Sequence, residues 1–131
     1  MVLIDTSVLI DYLRGEENEG TVKFQALLDA ETPYGINSFI YLEVLQGVRS
    51  ESDFQKVKSY LDTQTMYDLQ DRRDSYAEAA QLYFKCRQKG ITVNSSVDFL
   101  IAQTALENDL LLLHNDSDFE RIAKITALKF Y

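Results

Sequence analysis

The sequence predicts an α/β protein with a central, mostly parallel sheet. Short apolar runs alternate with longer stretches of helical period along the chain. The apolar runs, "VLI" near the start and "LLLL" near the end, are continuous rather than alternating, as in strands covered on both faces. At 131 residues the chain is one domain's worth of sequence, and residues 1–131 are expected to fold as a single unit.

Val2 to Ile4 reads as the first strand. "TSVLIDYLRG" follows with Leu9, Ile10 and Leu13 on one helical face and Gly15 as its stop. A second helix is expected from about Glu19 to Ala30, packing through Val22, Leu27 and Leu28, and Pro33 leads into the strand "YGI". Asn37 or Ser38 caps the next helix, "NSFIYLEVLQGV", which stops near Gly47 to Arg49. Phe54 to Leu61 makes a further helix through Val57, Tyr60 and Leu61, and "TMYDL" a strand. Asp71 to Lys89 is the longest helical stretch, with Tyr76, Ala79, Ala80, Tyr83 and Cys86 in register and Gly90 closing it. "SSVDFLIAQTALEND" is another helix, "LLLL" a buried strand placed centrally, "NDSDFERIAKI" a short helix, and "ALKFY" a terminal strand or tail.

Thirteen Lys and Arg against twenty-one Asp and Glu give a formal net charge of −8, which disfavours polyanion binding by bulk electrostatics. A nucleic-acid partner requires local basic residues or a bridging cation. One cysteine, Cys86, excludes an intrachain disulfide framework and thiolate zinc sites, which fits a reducing cytoplasm. Asp5 and Asp11 interrupt the N-terminal apolar stretch, so no signal peptide is expected, and "LLLL" is far short of the roughly 20 residues of a membrane helix.

In an open parallel sheet, ligands bind where loops converge at the carboxyl ends of the strands. Asp5 follows the first strand, Asp116 and Asp118 follow "LLLLHN", Asp98 starts the preceding helix, and Glu43 lies within the helix after "YGI". Taken singly, the aspartates read equally well as helix caps: Asp5 and Asp116 follow strands, while Ser95 with Asp98 and Ser117 with Glu120 have capping-box spacing. Glu43 is harder to explain so, because Phe39 and Ile40 share its face and Gly47 leaves space beside it; a pocket containing a cation is expected there. Were these acids to converge, two charges about 4 Å apart would cost about 4 kcal/mol even at an effective dielectric of 20. All-oxygen donors suit Mg²⁺ or Mn²⁺ and argue against zinc.

With "MVLIDTSVLIDYL", "SFIYLEVLQGV" and "VDFLIAQTALENDLLLLHNDSDF", the chain resembles the PIN-domain ribonuclease family, particularly the VapC toxins of type II toxin–antitoxin (VapBC) pairs. The resemblance spans nearly the whole chain in the order, spacing and context of the acids. It implies a three-layer α/β/α sandwich and an Mg²⁺- or Mn²⁺-dependent endoribonuclease with Asp5, Glu43, Asp98 and Asp116 as catalytic metal-binding acids. It further implies Asp118 as a fifth acidic position and Ser7 as a supporting hydroxyl. Hydrolysis of tRNA or rRNA by metal-activated water, 5′-phosphate products, a homodimer and inhibition by a VapB-like antitoxin follow from the same resemblance. His114 departs from the Ser or Thr common just before the last acidic loop.

Two other readings stand beside this one. A receiver-like or phosphatase-like domain also gathers acids at strand ends, but would carry a second acid near the first, where this chain has Thr6 and Ser7. A catalytically silent RNA-binding or protein-interaction module on the same fold is the alternative that the intact acids count against. Arg14, Arg49, Arg121 and Lys124 are candidate phosphate contacts, while Cys86 and His114 read as structural, and Tyr76 and Tyr83 as core packing or a dimer face.

Overall fold

The computed structural model describes residues 1–131. Four parallel strands form the sheet in the order β3-β2-β1-β4. β1 is Val2–Ile4, β2 Tyr34–Ile36, β3 Thr65–Met66 and β4 Leu111–Leu113. All three residues of β1 are buried, so apolar groups cover both faces of the sheet there. β1 pairs with β2 on one side and β4 on the other, and the match of Ile4 to Leu113 makes β1 and β4 end together. The amide of Asp5 extends that pairing by donating to the Leu113 carbonyl at 2.9 Å. β4 is an outer strand of the four rather than a central one, because β1 and β2 take the middle and only a single bridge from Leu112 to Phe130 flanks it, so the tail "ALKFY" contributes one rung rather than a strand.

Seven helices connect and cover the strands: α1 (Thr6–Leu13), α2 (Glu19–Asp29), α3 (Ser38–Gln46), α4 (Glu51–Leu61), α5 (Asp74–Gln88), α6 (Ser96–Glu107) and α7 (Ser117–Ala123). Local side chains set most of their starts. Asn18 and Thr21 cap α2 reciprocally, Asn37 rather than Ser38 caps α3, and Ser50 starts α4 a turn earlier than the apolar pattern alone implies. Asp71 lies outside α5 because its carboxylate accepts from the amides of Arg73 and Asp74, forming the turn that precedes the helix.

Twenty-five buried apolar residues form a contiguous core, with Phe24, Phe99 and Phe119 its largest fully buried side chains. Three sequence expectations change here. Val22 does not pack inward but is 53 % exposed, since Phe24 and Leu27 carry the buried face of α2; Leu13 likewise faces out. On α5 the buried face runs through Ser75, Ala79 and Cys86, leaving Tyr76, Ala80 and Tyr83 exposed. β3 is only two exposed residues, because as an edge strand it has one neighbour and little apolar surface to bury.

Gly35 leaves room for β3 and the residue after it to lie close against β2. A Cβ there would lie 2.4 Å from the Thr65 carbonyl oxygen and 2.6 Å from the Tyr67 ring. Gly35→Ala is expected to lower the unfolding free energy by about 1–3 kcal/mol, read from the urea midpoint at unchanged slope. Parent-like stability would contradict this pairing.

Candidate active site

The site forms where β1 and β4 end. Asp5 leaves β1 and caps α1, its Oδ2 accepting from the Ser7 amide at 3.1 Å and the Ser7 hydroxyl at 2.5 Å. Asp116 leaves β4 and caps α7, its Oδ1 accepting from the Asp118 amide at 2.9 Å. The cap reading of these two aspartates therefore holds, yet capping uses only part of each carboxylate. The two capping boxes do not form. Ser95 makes no side-chain bond at the start of α6, and Glu120 lies near His114 instead of reaching back to the cap of α7.

Asp98 stands in the first turn of α6. It is 8 % exposed, and its carboxylate accepts no hydrogen bond from the protein while its oxygens keep access to solvent. One carboxylate oxygen from each of Asp98, Asp116 and Asp118 lies within 4.8 Å of the others. Burial first, and then the charges of Asp116, Asp5, Asp118 and Glu43, push the Asp98 carboxyl up to about 7. Asp5 is pushed up to about 6, chiefly by burial and further by Glu43, against the opposing pull of the Ser7 hydrogen bonds. The structure thus gathers Asp98, Asp116 and Asp118 most tightly, with Asp5 and Glu43 within their field.

Glu43 stands on α3, half-buried, with Oε1 accepting from the Thr6 hydroxyl at 2.9 Å. Thr6, buried next to Asp5, ties α1 to α3 and orients Glu43; local sequence pattern assigns it no such role because its partner is 37 residues away. Gly47 does not open space beside Glu43. It ends α3, and a Cβ there would make only ordinary contacts with the Val44 and Glu43 carbonyls and Ile10.

Asn115 is the other residue missed by sequence reasoning. Its amide donates to the Ser7 hydroxyl at 3.0 Å, and its side chain donates to Asp11 and Asn18 at 3.0 and 2.9 Å. The loop after β4 is thereby fastened to both ends of the segment joining α1 and α2. Gly20 permits this, since a Cβ there would sit 2.1 Å from Asn115 Oδ1. His114 is turned away from ligation: Nδ1 accepts from the Asp116 amide at 3.1 Å, Nε2 faces Glu120 at 3.4 Å, and the ring packs edge-on against Phe130. Burial holds its pKa below the usual histidine range, consistent with a neutral ring.

The nearest countercharge to the trio is Arg121, bonded to Asp118 through Nη1. Asp98 and Asp116 have no cationic side-chain partner of their own, apart from the neutral His114 bonded to the Asp116 backbone. Oxygen donors at this spacing, with those of Asp98 accepting no protein hydrogen bond and still open to solvent, fit a hard divalent cation.

The family model for the PIN domain matches residues 2–125. A VapC ribonuclease of Mycobacterium bovis is 31% identical over 130 residues, covering 98% of this chain and 96% of that protein. Two solved structures share the fold at lower identity. VapBC2 from Rickettsia felis, bound to a promoter DNA fragment, aligns over 100% of this chain and 98% of that chain at 18% identity, with a TM-score of 0.76. DNA-bound VapBC from Salmonella typhimurium aligns over 99% and 96% at 19% identity, also with a TM-score of 0.76.

The raised acids give a stability signature. A carboxyl raised in the folded state contributes stability at low pH and loses it as pH climbs through its folded value. His114, held low, acts in the opposite sense below about pH 6.5, so the informative window lies above that. With cations chelated, stability is expected to fall by about 0.5 kcal/mol between about pH 6.5 and 8, as Asp98 ionises at about 7 and the remaining contribution of His114 offsets part of the loss. Added Mg²⁺ or Mn²⁺ should reverse the loss. Chemical denaturation at both pH values, with and without cation, measures it, and a rise toward pH 8 without cation would contradict this charge arrangement.

Proposed function

Because the chain belongs to the PIN-domain family, among its VapC ribonucleases, we propose that it is a divalent-metal-dependent endoribonuclease and the toxin of a toxin–antitoxin pair. Asp5, Glu43, Asp98 and Asp116 are the catalytic acids in this reading, Asp118 a further metal ligand and Ser7 the support of Asp5. The observation that carries it is Asp98, a largely buried residue whose carboxylate accepts no hydrogen bond from the protein and whose pKa is raised to about 7, first by burial and then by the charges of the neighbouring acids.

When bound, an Mg²⁺ or Mn²⁺ ion supplies a more acidic water and neutralises charge on the scissile phosphate. Asp98, Asp116 and Asp118 hold that ion, with Asp5 alongside. Ser7 fixes the rotamer of Asp5 and, through the Asn115 amide, its position relative to the loop carrying Asp116. Glu43 keeps Oε2 free of Thr6 and orients the attacking water. Attack on phosphorus breaks the bond to the 3′ oxygen, leaving 5′-phosphate and 3′-hydroxyl ends.

The substrate in this reading is a tRNA or rRNA loop and the protein partner a VapB-like antitoxin, the latter supported by solved VapBC complexes that share the fold. A homodimer is supported by exposed apolar side chains on α3 and α5, Leu42, Tyr76, Tyr83 and Phe84. No helix is long and apolar enough to cross a membrane, and the reduced Cys86 suits the cytoplasm. We read residues 1–131 as one PIN domain.

Purified protein incubated with total cellular RNA is expected to cut at few sites with Mg²⁺ or Mn²⁺ and not with EDTA. Asp5→Asn, which keeps a good helix cap, and Asp98→Asn should each fold and lose about 100-fold or more in rate. Cutting that persists in EDTA, or at the parent rate in Asp98→Asn, would contradict the assignment.

A further inference from the structure

Beside the acid trio lies a cavity of about 430 Å³ between the 90–94 segment and α7, lined by Thr92, Asn94, Asp118, Arg121 and Lys124 among others. Only one of its seven lining residues is hydrophobic. Asp118 is common to this cavity and the trio, so the two form neighbouring compartments with one shared wall. The side chains of Thr92, Asn94 and Lys124 make no hydrogen bond or ion pair within the protein, which leaves a hydroxyl, an amide and an ammonium group free to donate. Arg121 is held at the wall by Asp118 and by the Ser117 hydroxyl, so its guanidinium stays within reach of anything bound at the trio.

On this geometry we propose that Arg121 and Lys124 form a phosphate subsite of the RNA substrate, Arg121 next to the scissile group and Lys124 on the neighbouring phosphate. The inference rests on the ribonuclease reading above and adds the direction in which the strand leaves the acids, past α7. In a chain of net charge −8, a polyanion is admitted only where cations are concentrated, and here two of them adjoin the acids that are expected to cut it. Arg121 also has two competing attachments. A cation bound by Asp118 weakens the claim of that carboxylate on Arg121, which frees the guanidinium for a phosphate oxygen at the moment substrate is engaged. Metal and RNA binding are therefore coupled through this side chain.

The test uses three probes, Mn²⁺ alone, a short labelled oligouridylate in Ca²⁺ and an oligoglutamate, against the parent, Arg121→Gln, Lys124→Gln and the remote surface variant Lys85→Gln. Lys124→Gln is expected to weaken oligouridylate binding about fivefold and to reduce the salt slope by about 0.7, without altering Mn²⁺ affinity. Arg121→Gln should weaken RNA binding comparably but tighten Mn²⁺ by about twofold or more, because the competing cation of Asp118 is gone. Lys85→Gln should match the parent. Binding and salt slopes that are the same in all four proteins, while the parent still cuts RNA, would overturn the subsite and leave the nuclease standing. A parent that neither binds oligouridylate nor cuts RNA would overturn both. Capture of an oligoglutamate instead, lost in Lys124→Gln, would overturn the proposal in favour of an acidic protein segment.

Discussion

Mutual repulsion among carboxylates at the ends of β1 and β4 is the constraint around which the rest of the structure is arranged. Asp98 is buried beside Asp116 and Asp118, with Asp5 and Glu43 adding to the field, and the only side-chain cation paired with the trio is the arginine on Asp118. Such a cluster costs free energy at neutral pH unless protons or a cation offset it. Core packing sustains it. β1 beneath is buried along its whole length, and Phe99 and Phe119, next to Asp98 and Asp118 in the chain, are among the most deeply buried side chains.

Holding the acids in place falls to small polar residues rather than to countercharges. Ser7 bonds to Asp5 and receives the Asn115 amide; Thr6 holds Glu43; Asn115 reaches Asp11 and Asn18. Most of these bonds join elements far apart in sequence, so the loop after β4 is fixed relative to α1, and α1 relative to α3. Neutral donors fix the geometry without neutralising it, which leaves the site's negative charge available to a ligand. Asp5 and Asp116 do two things at once, since capping α1 and α7 uses one face of each carboxylate and leaves the other toward the cluster.

How much of this was legible in the sequence depended on the range of the forces involved. The presence of β1, β2 and β4, the order of the helices, and the positions of Asp5, Asp116 and Asp118 just after strands follow from local apolar pattern and were readable. The face of α5 was not: Tyr76, Ala80 and Tyr83 fit a helical stripe, but Ser75, Ala79 and Cys86 are the residues tertiary packing buries, while Tyr83 stays largely exposed with its ring edge-on to Phe99 of α6. Capping-box spacing at Ser95 and Ser117 was equally deceptive. Asp116 took the cap of α7, and Asp98 faces the acids rather than the end of its own helix. Thr6 and Asn115 carry no pattern at all, because their partners are 37 and 108 residues distant.

The central claim is that the trio at the end of β4 holds a divalent cation. Crystals of the protein soaked in Mn²⁺ and measured at a wavelength where manganese scatters anomalously test it directly. The expected result is an anomalous peak bonded to oxygens of Asp98, Asp116 and Asp118, at the roughly 2.0–2.2 Å distances of hard-cation ligation and absent from Asp98→Asn crystals. A peak ligated elsewhere, or none at a concentration that supports cleavage, would contradict it.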